Sequence, residues 1–262
     1  LMANTHLTAA GLAQLIAVDA SDLYALSDGL TADASLINKI DPLFASNVAD
    51  RLAQVRVFDS TVSAGDLHIF AVNRAKLLAE TREARLLSLT LAPSSSLTAI
   101  GATAASNQLT GGARALVDQS ALTLGHDLRS GARMSSLVKS ITPQGVPSGT
   151  ASNIALGHSV GFNAVGWTWK SGTSPTQAST SSLLGSDGNF DSAPIEILAR
   201  VNNTSVKAQG DVVVRADNAM KIISLTGDLT AASGSSASGL LSLGASALLV
   251  SNRVRSETRA VV

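Results

Sequence analysis

The most prominent catalytic motif in this sequence is Gly157-His158-Ser159-Val160-Gly161, which matches the G-x-S-x-G elbow of serine hydrolases. In those enzymes a sharp turn presents the serine as a nucleophile, and a histidine later in the chain is its general base. No histidine follows this motif, because the four in the chain are His6, His68, His126 and His158. Aligned repeat positions hold Thr103 and Ser246. We therefore interpret Ser159 as a repeat residue at a turn and expect no enzyme activity.

A second catalytic pattern is the S-x-x-K of Ser136 and Lys139, the type used by penicillin-recognising enzymes. Those enzymes also carry a Lys-Ser/Thr-Gly strand as the last of their motifs. Here Lys170-Ser171-Gly172 precedes Ser186-Asp187-Gly188, so the order is wrong. Val138, inside the pattern, aligns with core positions of the repeats described below. The pattern is therefore better explained as a chance match in a serine-rich chain.

Oxygen-bearing side chains alternate at Asp187, Asn189 and Asp191, as they do in a calcium-binding loop. The sixth position is Ser192 instead of glycine, and the twelfth is Leu198 instead of the bidentate glutamate, so a full EF-hand is excluded. Two alternatives stay open, a weak calcium site and a solvated turn, and we favour the turn. We expect no other cofactor.

Trp167 and Trp169 lie two residues apart, so on a strand they share one face, beside Lys170. An exposed pair of indole rings can stack on a sugar or on a partner protein, which makes these three residues the candidate ligand-binding site. The alternative, which we favour, is that both rings cover the edge of an apolar core.

One sequence motif occurs four times, beginning at Asn4, Asp59, Gln119 and Asn203. Each copy has a polar start, then an apolar residue, then a glycine: Gly11, Gly65, Gly125 or Gly210. An alanine follows after six or seven residues, and an aliphatic residue follows that alanine after six: Leu23, Leu77, Val138 or Ile222. Inward and outward side chains alternate before the alanine, which indicates a strand. A repeated turn then explains three acidic residues beside the glycines better than a carboxylate cluster does: Asp66, Asp127 and Asp211.

A second motif alternates with the first and contains an aliphatic residue, a glycine, a hydroxyl residue and then Asn107, Asn163 or Asn252. A further stretch near residues 37–48 is too degenerate to count as a copy. The glycines of the first motif are spaced by 54, 60 and 85 residues, so the third unit holds about 30 extra residues. We place this Ser/Thr/Gly-rich insertion at residues 165–197 and interpret it as a surface loop or an extra partial coil.

The repeats predict an all-β fold, a parallel β-helix or solenoid, in which residues 1–262 form one repetitive segment. Short predicted strands of four to seven residues, separated by Gly, Asn, Asp and Ser turns, suggest about three coils in each unit. Each unit buries its apolar face by stacking on its neighbours.

The composition excludes several function classes. Lys+Arg and Asp+Glu both number 19, so no basic field exists to bind nucleic acid. The longest apolar stretch, residues 239–250, is too short to span a membrane as a helix. There are no cysteines, which removes thiolate chemistry and disulfides, and aromatic residues make up only 3% of the chain. The first residues show no secretion signal, so we expect any such signal upstream of this fragment.

The paired pattern of the two motifs, clearest at residues 197–223 and 243–262, resembles the repeats of large bacterial adhesins of the filamentous haemagglutinin and leukotoxin type. The resemblance implies a right-handed β-helix, secretion or cell-surface location, and a partner transporter in the outer membrane. It implies no catalytic residues, since those repeats are scaffolding. We therefore expect a structural or adhesive stalk segment, with a host surface, a glycan or a sister protein as partner. A carbohydrate-binding or carbohydrate-active module at the insertion and a self-assembling filament segment are the alternatives.

Overall fold

The computed structural model describes residues 1–31, 40–85, 97–147, 152–170, 190–231 and 243–262. Every regular element within these ranges is a β-strand, as the alternating sequence pattern predicts. In chain order the strands are β1 (Met2–Ala3), β2 (His6–Thr8), β3 (Leu12–Asp19), β4 (Asp22–Thr31), β5 (Ile40–Phe58), β6 (Thr61–Ala64), β7 (Asp66–Asn73), β8 (Lys76–Arg85), β9 (Leu97–Asp118), β10 (Ala121–Leu124), β11 (Leu128–Met134), β12 (Leu137–Pro147), β13 (Ser152–Val165), β14 (Trp167–Trp169), β15 (Phe190–Ser192), β16 (Ile195–Asn202), β17 (Ser205–Ala208), β18 (Val212–Asn218), β19 (Lys221–Ala231), β20 (Leu243–Val254) and β21 (Ser256–Val261).

Each repeat unit contributes strands to the same four parallel sheets, in the same order. The short sheet contains β2, β6, β10 and β17, the middle sheet β3, β7, β11 and β18, and the far sheet β4, β8, β12 and β19. The long sheet contains β1, β5, β9, β13 and β20, and β16 joins it by pairing with β9 and β21. Parallel sheets stacked in register are consistent with a β-solenoid.

Neighbouring strands in a sheet come from successive repeat units. His6 pairs with Thr61, Thr61 with Ala121, and Ala121 with Ser205. Each repeat unit therefore contributes one layer to the stacked sheets, which we call a coil, and the prediction of about three coils per unit is wrong. The prediction failed because it assumed strands of four to seven residues, whereas β5 spans 19 residues and β9 spans 22 without an interruption.

The stretch that the sequence pattern left uncounted is a genuine copy of the second motif. Strand β5 pairs with β9 residue by residue, from Ile40 with Ile100 to Phe58 with Asp118, and this register places Asn47 beside Asn107. Asp41 and Leu43 lie where β9 and β13 have glycine and a hydroxyl residue. These two exchanges hid the copy.

The core lies between the long sheet and the middle and far sheets. In β7 burial alternates strictly, and Leu67, Ile69 and Ala71 are fully buried. Complete burial of a leucine or isoleucine side chain contributes about 1.5 to 3 kcal/mol, so each inner coil adds several such contributions. Some core positions of the first and last coils, such as Leu15 and Val214, are only partly buried, since a neighbouring coil covers them on one side.

A repeated turn leads from the long sheet into the short sheet. Its first residue has a positive φ of 46 to 51° in all four coils, at Asn4, Asp59, Gln119 and Asn203. Asparagine and aspartate tolerate this left-handed conformation better than most residues, which explains the polar starts of the first motif. The next residue is Thr5, Ser60, Ser120 or Thr204. Its hydroxyl donates to the carbonyl two residues earlier, as in the 2.8 Å bond from Ser60 Oγ to Phe58 O.

Two glycines in the middle of β9 allow the close approach of neighbouring coils. Gly111 and Gly112 have φ values of 101° and 143°. A Cβ atom at Gly111 would collide with the carbonyl oxygen of Arg51, and one at Gly112 with that of Glu196. Side chains are therefore excluded at both positions.

The third unit leaves the long sheet between β13 and β16. Val165 pairs with Leu109, and Glu196 pairs with Gly112. Leu109 and Gly112 are three residues apart in β9, whereas their partners in the third unit are 31 residues apart. Within that interval β14 and β15 form an antiparallel pair. In the described ranges no helix has the length and apolar character needed to cross a membrane.

Candidate functional site

Ser159 lies inside strand β13 and not at a turn, which corrects one part of our interpretation. Its side chain is fully buried, and its register partner in the preceding coil is Thr103, as the repeat alignment predicts. The alignment with Ser246 is wrong, because Ser159 pairs with Leu248 in the following coil and Ser246 pairs with Gly157. The two hydroxyl oxygens are 3.0 Å apart. A nucleophile elbow requires an exposed serine on a sharp turn. The strand places Ser159 in hydrogen-bonding contact with Thr103 of the preceding coil instead.

The S-x-x-K residues lie on opposite faces of the chain. Ser136 is 1% exposed, and its hydroxyl donates to Asn73 Oδ1 over 2.9 Å. Val138 is fully buried in the core, so Lys139, the next residue, points outward. The lysine therefore does not approach the serine that it would have to activate.

The three repeated aspartates form a column at the turn before the middle sheet. The backbone N–H of Asp127 donates to Asp66 Oδ1 over 3.0 Å, and the N–H of Asp211 donates to Asp127 Oδ1 over 2.9 Å. The Asp211 N–H and the Arg129 guanidinium hold the pKa of Asp127 below its ordinary value. The carboxylates of Asp66 and Asp127 thus each cap the backbone of the next coil, as turn residues do.

A buried column of asparagines connects the long sheet to the far sheet, and the sequence analysis did not assign it a role. Nδ2 donates along the column from Asn47 to Asn107, from Asn107 to Asn163, and from Asn163 to Asn252, over 2.8 to 2.9 Å. The same Nδ2 atoms donate across the core to carbonyl oxygens of the far sheet: Leu78, Lys139 and Ile223. Because each side-chain amide has two N–H groups, it forms hydrogen bonds both to the next coil and to the opposite sheet. The asparagine that recurs in the second motif is the sequence feature from which this column could have been predicted.

The calcium candidates fall mostly outside the described residues. Asp187 and Asn189 belong to the part of the insertion that the structure does not describe. Asp191 is exposed in β15, and its backbone carbonyl lies 3.5 Å from the Thr168 hydroxyl. No group of three or more potential metal ligands occurs among the described residues.

Four of the eight aromatic residues gather where the insertion leaves the long sheet. Trp169 packs on Phe162 with 5.4 Å between ring centroids, and on Phe190 with 5.0 Å. Phe162 is fully buried, while both tryptophans are partly buried. We call Trp167–Trp169 and Phe190–Ser192 the aromatic hairpin. Its rings cover the outer side of β13, so that this strand is buried on both faces.

Cations surround the tryptophan at the start of the aromatic hairpin. The guanidinium of Arg253 lies 5.0 Å from the Trp167 ring centroid, and that of Arg255 lies 5.7 Å from it. Arg253 also lies over Phe190, at 4.7 Å. Lys170 is exposed next to these rings. The three candidate ligand-binding residues are therefore neighbours, with the tryptophans engaged by other side chains and the lysine facing solvent.

A buried carboxylate marks the outer face of the long sheet near the repeated turn. Asp118 is 4% exposed and lies between two arginines. Its Oδ1 is 2.8 Å from Arg200 of the following coil, and its Oδ2 is 3.6 Å from Arg56 of the preceding one. The pairs connect three coils, and no sequence signal distinguished this aspartate from others in turns.

In comparisons with known proteins, no family model, no curated protein and no solved structure matched this chain. The comparisons therefore identify no adhesin repeat family, and the resemblance stated above stays a prediction.

Proposed function

We propose that this chain is a non-catalytic structural stalk segment of an exported bacterial surface protein, folded as a right-handed parallel β-solenoid. The observation that carries the proposal is the parallel pairing of four repeat copies in each of the four sheets. Such a stack needs no ligand to hold it together, since each coil is the template for the next.

The polar residues with chemical potential support a structural role, because they are used in contacts between coils. Ser159, Asn107 and Asp127 each bond to the equivalent residue of a neighbouring coil. Buried polar groups cost free energy unless they are paired, and these columns pair them. Residues of this kind set register between coils rather than bind substrate.

The coil dimensions determine what kind of stalk this segment can build. Parallel strands lie about 4.8 Å apart, so four coils advance by roughly 15 to 20 Å along the stack. A strand of 19 residues such as β5 extends for about 60 Å across it. The segment is therefore a broad, thin slab, and a long stalk requires further stacked coils.

Small-angle scattering of the purified chain tests this shape. We expect a flattened particle with a longest dimension near 60 to 70 Å. A compact globule of this length, with a radius of gyration of about 18 Å, would contradict the coil arrangement.

Removal of one complete coil tests the solenoid itself. Deletion of residues 59–118 joins Phe58 to Gln119, which occupies the same turn position as Asp59 and shares its positive φ. We expect the shortened chain to fold with one coil fewer and an unchanged far-ultraviolet strand spectrum. Deletion of residues 59–88, about half a coil, is the control and should abolish cooperative unfolding. Equal loss of structure in both chains would count against a modular stack.

Surface exposure can be tested on the source bacterium with antibodies raised against this chain. Intact cells should bind the antibody as strongly as lysed cells do. Binding only after lysis would overturn the assignment to the exterior.

A carbohydrate module is the second candidate function, and the aromatic hairpin favours it. Half of the aromatic residues of the chain gather there, outside the main core, with exposed Lys170 beside them. Indole rings can stack on the face of a sugar, and a lysine ammonium beside them can donate hydrogen bonds to sugar hydroxyl groups. A glycan array with the native chain and with Trp167→Ala separates the two functions. Glycan binding that the substitution abolishes would favour the module, and no binding would favour the stalk.

A further inference from the structure

The outer face of the far sheet carries large apolar side chains that solvent reaches. Leu77 and Val138 of this sheet are buried in the core, so the residues that alternate with them point outward. Six outward apolar residues form a band two residues deep across all four coils, which we call the apolar band: Tyr24, Leu26, Leu78, Ile141, Ile223 and Leu225. Tyr24 is 54% exposed and Leu225 is 50% exposed. Contiguous exposed apolar surface of this kind marks an interaction site.

The apolar band lies on the flank of the stack. Its side chains point away from the far sheet, at right angles to the direction in which one coil follows another. Leu78 and Ile141, in the two middle coils, remain partly exposed although a coil lies on each side of them. Further stacked coils would therefore lengthen the apolar band and would not cover it.

A second copy of this chain, with its coils in the opposite order, matches the apolar band. A two-fold axis parallel to the strands, between the second and third coils, places the first coil of each copy against the last coil of the other. Tyr24 shares a row of the far sheet with Ile223, and Leu26 shares the next row with Leu225. Each of these residues therefore faces its row partner in the second copy, and apolar side chains meet apolar side chains.

The same arrangement brings opposite charges together. Asp22 of the first coil and Lys221 of the last coil occupy one row of the far sheet, so each faces the other in the second copy. The axis repeats this contact, which gives two ion pairs at the border of the apolar band. Lys139 and Glu80, which interrupt the band in the middle coils, face Leu78 and Ile141. No row then places two like charges opposite each other.

The far sheet is large enough for a stable contact. Its four strands contain 10 or 11 residues each, so its outer face measures about 33 by 19 Å, or roughly 600 Å². Two such faces bury about 1,200 Å² in total, at the lower limit of specific protein–protein interfaces.

We infer that two copies of this chain pack side by side through the apolar bands of their far sheets, with their coils in opposite order. The inference goes beyond the proposed function, since a single stack forms a stalk segment without such contact. The contact uses the same face on both copies, so it closes with a dimer. Two sheets packed in this way enclose their facing side chains in a layer about 10 Å thick.

Leu225→Glu tests the apolar contact, because it places a carboxylate against Leu26 of the second copy. Val213→Glu is the matched control. Val213 is 44% exposed and belongs to the same coil, but it lies on the outer face of the middle sheet. Sedimentation velocity from about 1 to 100 µM measures the outcome. The native chain and Val213→Glu should become dimers as the concentration rises, while Leu225→Glu should associate at least about tenfold more weakly.

Two charge exchanges test the opposite order of the coils. Asp22→Lys and Lys221→Asp each place like charges opposite one another twice in a dimer, so each should weaken association by about tenfold. An equal mixture of the two variants should restore the dimer, because every contact again joins opposite charges, and so should both exchanges in one chain. Circular dichroism at low concentration verifies folding. Lys221→Asp leaves the 3.3 Å pair of Asp22 with Lys76 intact, so this variant gives the test even if Asp22→Lys disturbs the fold.

Three results would overturn the inference. The native chain sedimenting as a single species throughout would exclude contact between copies. Equal loss of the dimer in Leu225→Glu and Val213→Glu would show that the far sheet does not form the contact. Folded charge variants that stay impaired both when mixed and when combined in one chain would show that residues 22 and 221 do not face each other.

Discussion

Asn107 donates through one amide nitrogen to two partners at once, Asn163 Oδ1 of the next coil and Lys139 O of the opposite sheet, each at 2.8 Å. The side chain is fully buried, so both bonds form where water cannot compete. It also accepts from Asn47, which makes three bonds in total. The asparagine column therefore fixes the register of the long sheet and its distance from the far sheet together.

Replacement of Asn107 by alanine should lower the free energy of unfolding by about 2 to 4 kcal/mol, because it leaves buried partners without their bonds. Urea unfolding followed by circular dichroism measures the change. Asn252→Ala, at the exposed end of the column, is the control and should cost about 1 kcal/mol or less. Equal costs at both positions would show that burial of the column does not determine its contribution.

Gly112→Ala should destabilise the chain by at least about 3 kcal/mol, since the methyl group meets the Glu196 carbonyl and the positive φ disfavours any side chain. Gly227→Ala has open space and no positive φ, so it should be neutral or stabilise by up to about 1 kcal/mol. Thermal unfolding of the two variants tests the contrast. A mild effect at Gly112 would show that the coils can separate there at little cost.

Ser159 should not react with a fluorophosphonate probe in the folded chain, because its hydroxyl is buried beside Thr103. Ser159→Ala should lower stability by about 1 kcal/mol through loss of the buried hydrogen bond to Thr103. Mass spectrometry after labelling gives the readout, with urea-unfolded chain as the control for access. Labelling of Ser159 at native conditions would reopen the hydrolase interpretation.

Acid should weaken the turn that contains Asp127, whose pKa is lowered by the Asp211 N–H and the Arg129 guanidinium. A carboxyl whose pKa is lower in the folded chain stabilises it above the unfolded value, near 3.9, and loses that contribution as the pH falls through the folded value. Asp127→Asn keeps an acceptor for the Asp211 N–H but has no charge to titrate. Urea midpoints measured from neutral pH down to about 2.5 should therefore fall less steeply for this variant than for the native chain. Identical slopes would show that another group controls the acid response.

Much of the coil arrangement can be predicted from the sequence, since period-two alternation and the repeated Ala17, Ala71, Ala132 and Ala216 identify residues that lie in one column. The uneven spacing between glycine and alanine arises in the turn before the middle sheet. Thr123 precedes Leu128 by five residues and Lys207 precedes Val212 by five, whereas Ser63 precedes Leu67 by four, so the second coil is one residue shorter than the third and the fourth. The backbone N–H of Gly210 donates to the carbonyl of His126, so the motif glycines do not all occupy the same position of the turn.

The number of coils per unit could not be predicted in this way, because turn-forming residues such as Gly101 and Asn107 lie inside long strands. In a parallel sheet that is buried on one or both faces, such residues need no turn, provided that the next coil satisfies their backbone. The candidate site was predictable only in part. Strand geometry predicts that Trp167 and Trp169 lie on the same face of the strand. The contacts of Trp169 with Phe162 and of Trp167 with Arg253 depend on the tertiary fold and could not be predicted.

The exit of the third unit from the long sheet has a practical consequence. Gly166 and Ala193 are joined by a backbone hydrogen bond of 3.1 Å, so the two ends of the excursion meet at its base, and the strands on either side keep their pairing with β9. At the same place in the second coil, only Thr110 and Gly111 lie between the paired residues Leu109 and Gly112. Foreign peptides inserted there would leave the stacked sheets undisturbed, and peptides inserted at the equivalent place in each of the four coils would lie about 4.8 Å apart in a fixed row.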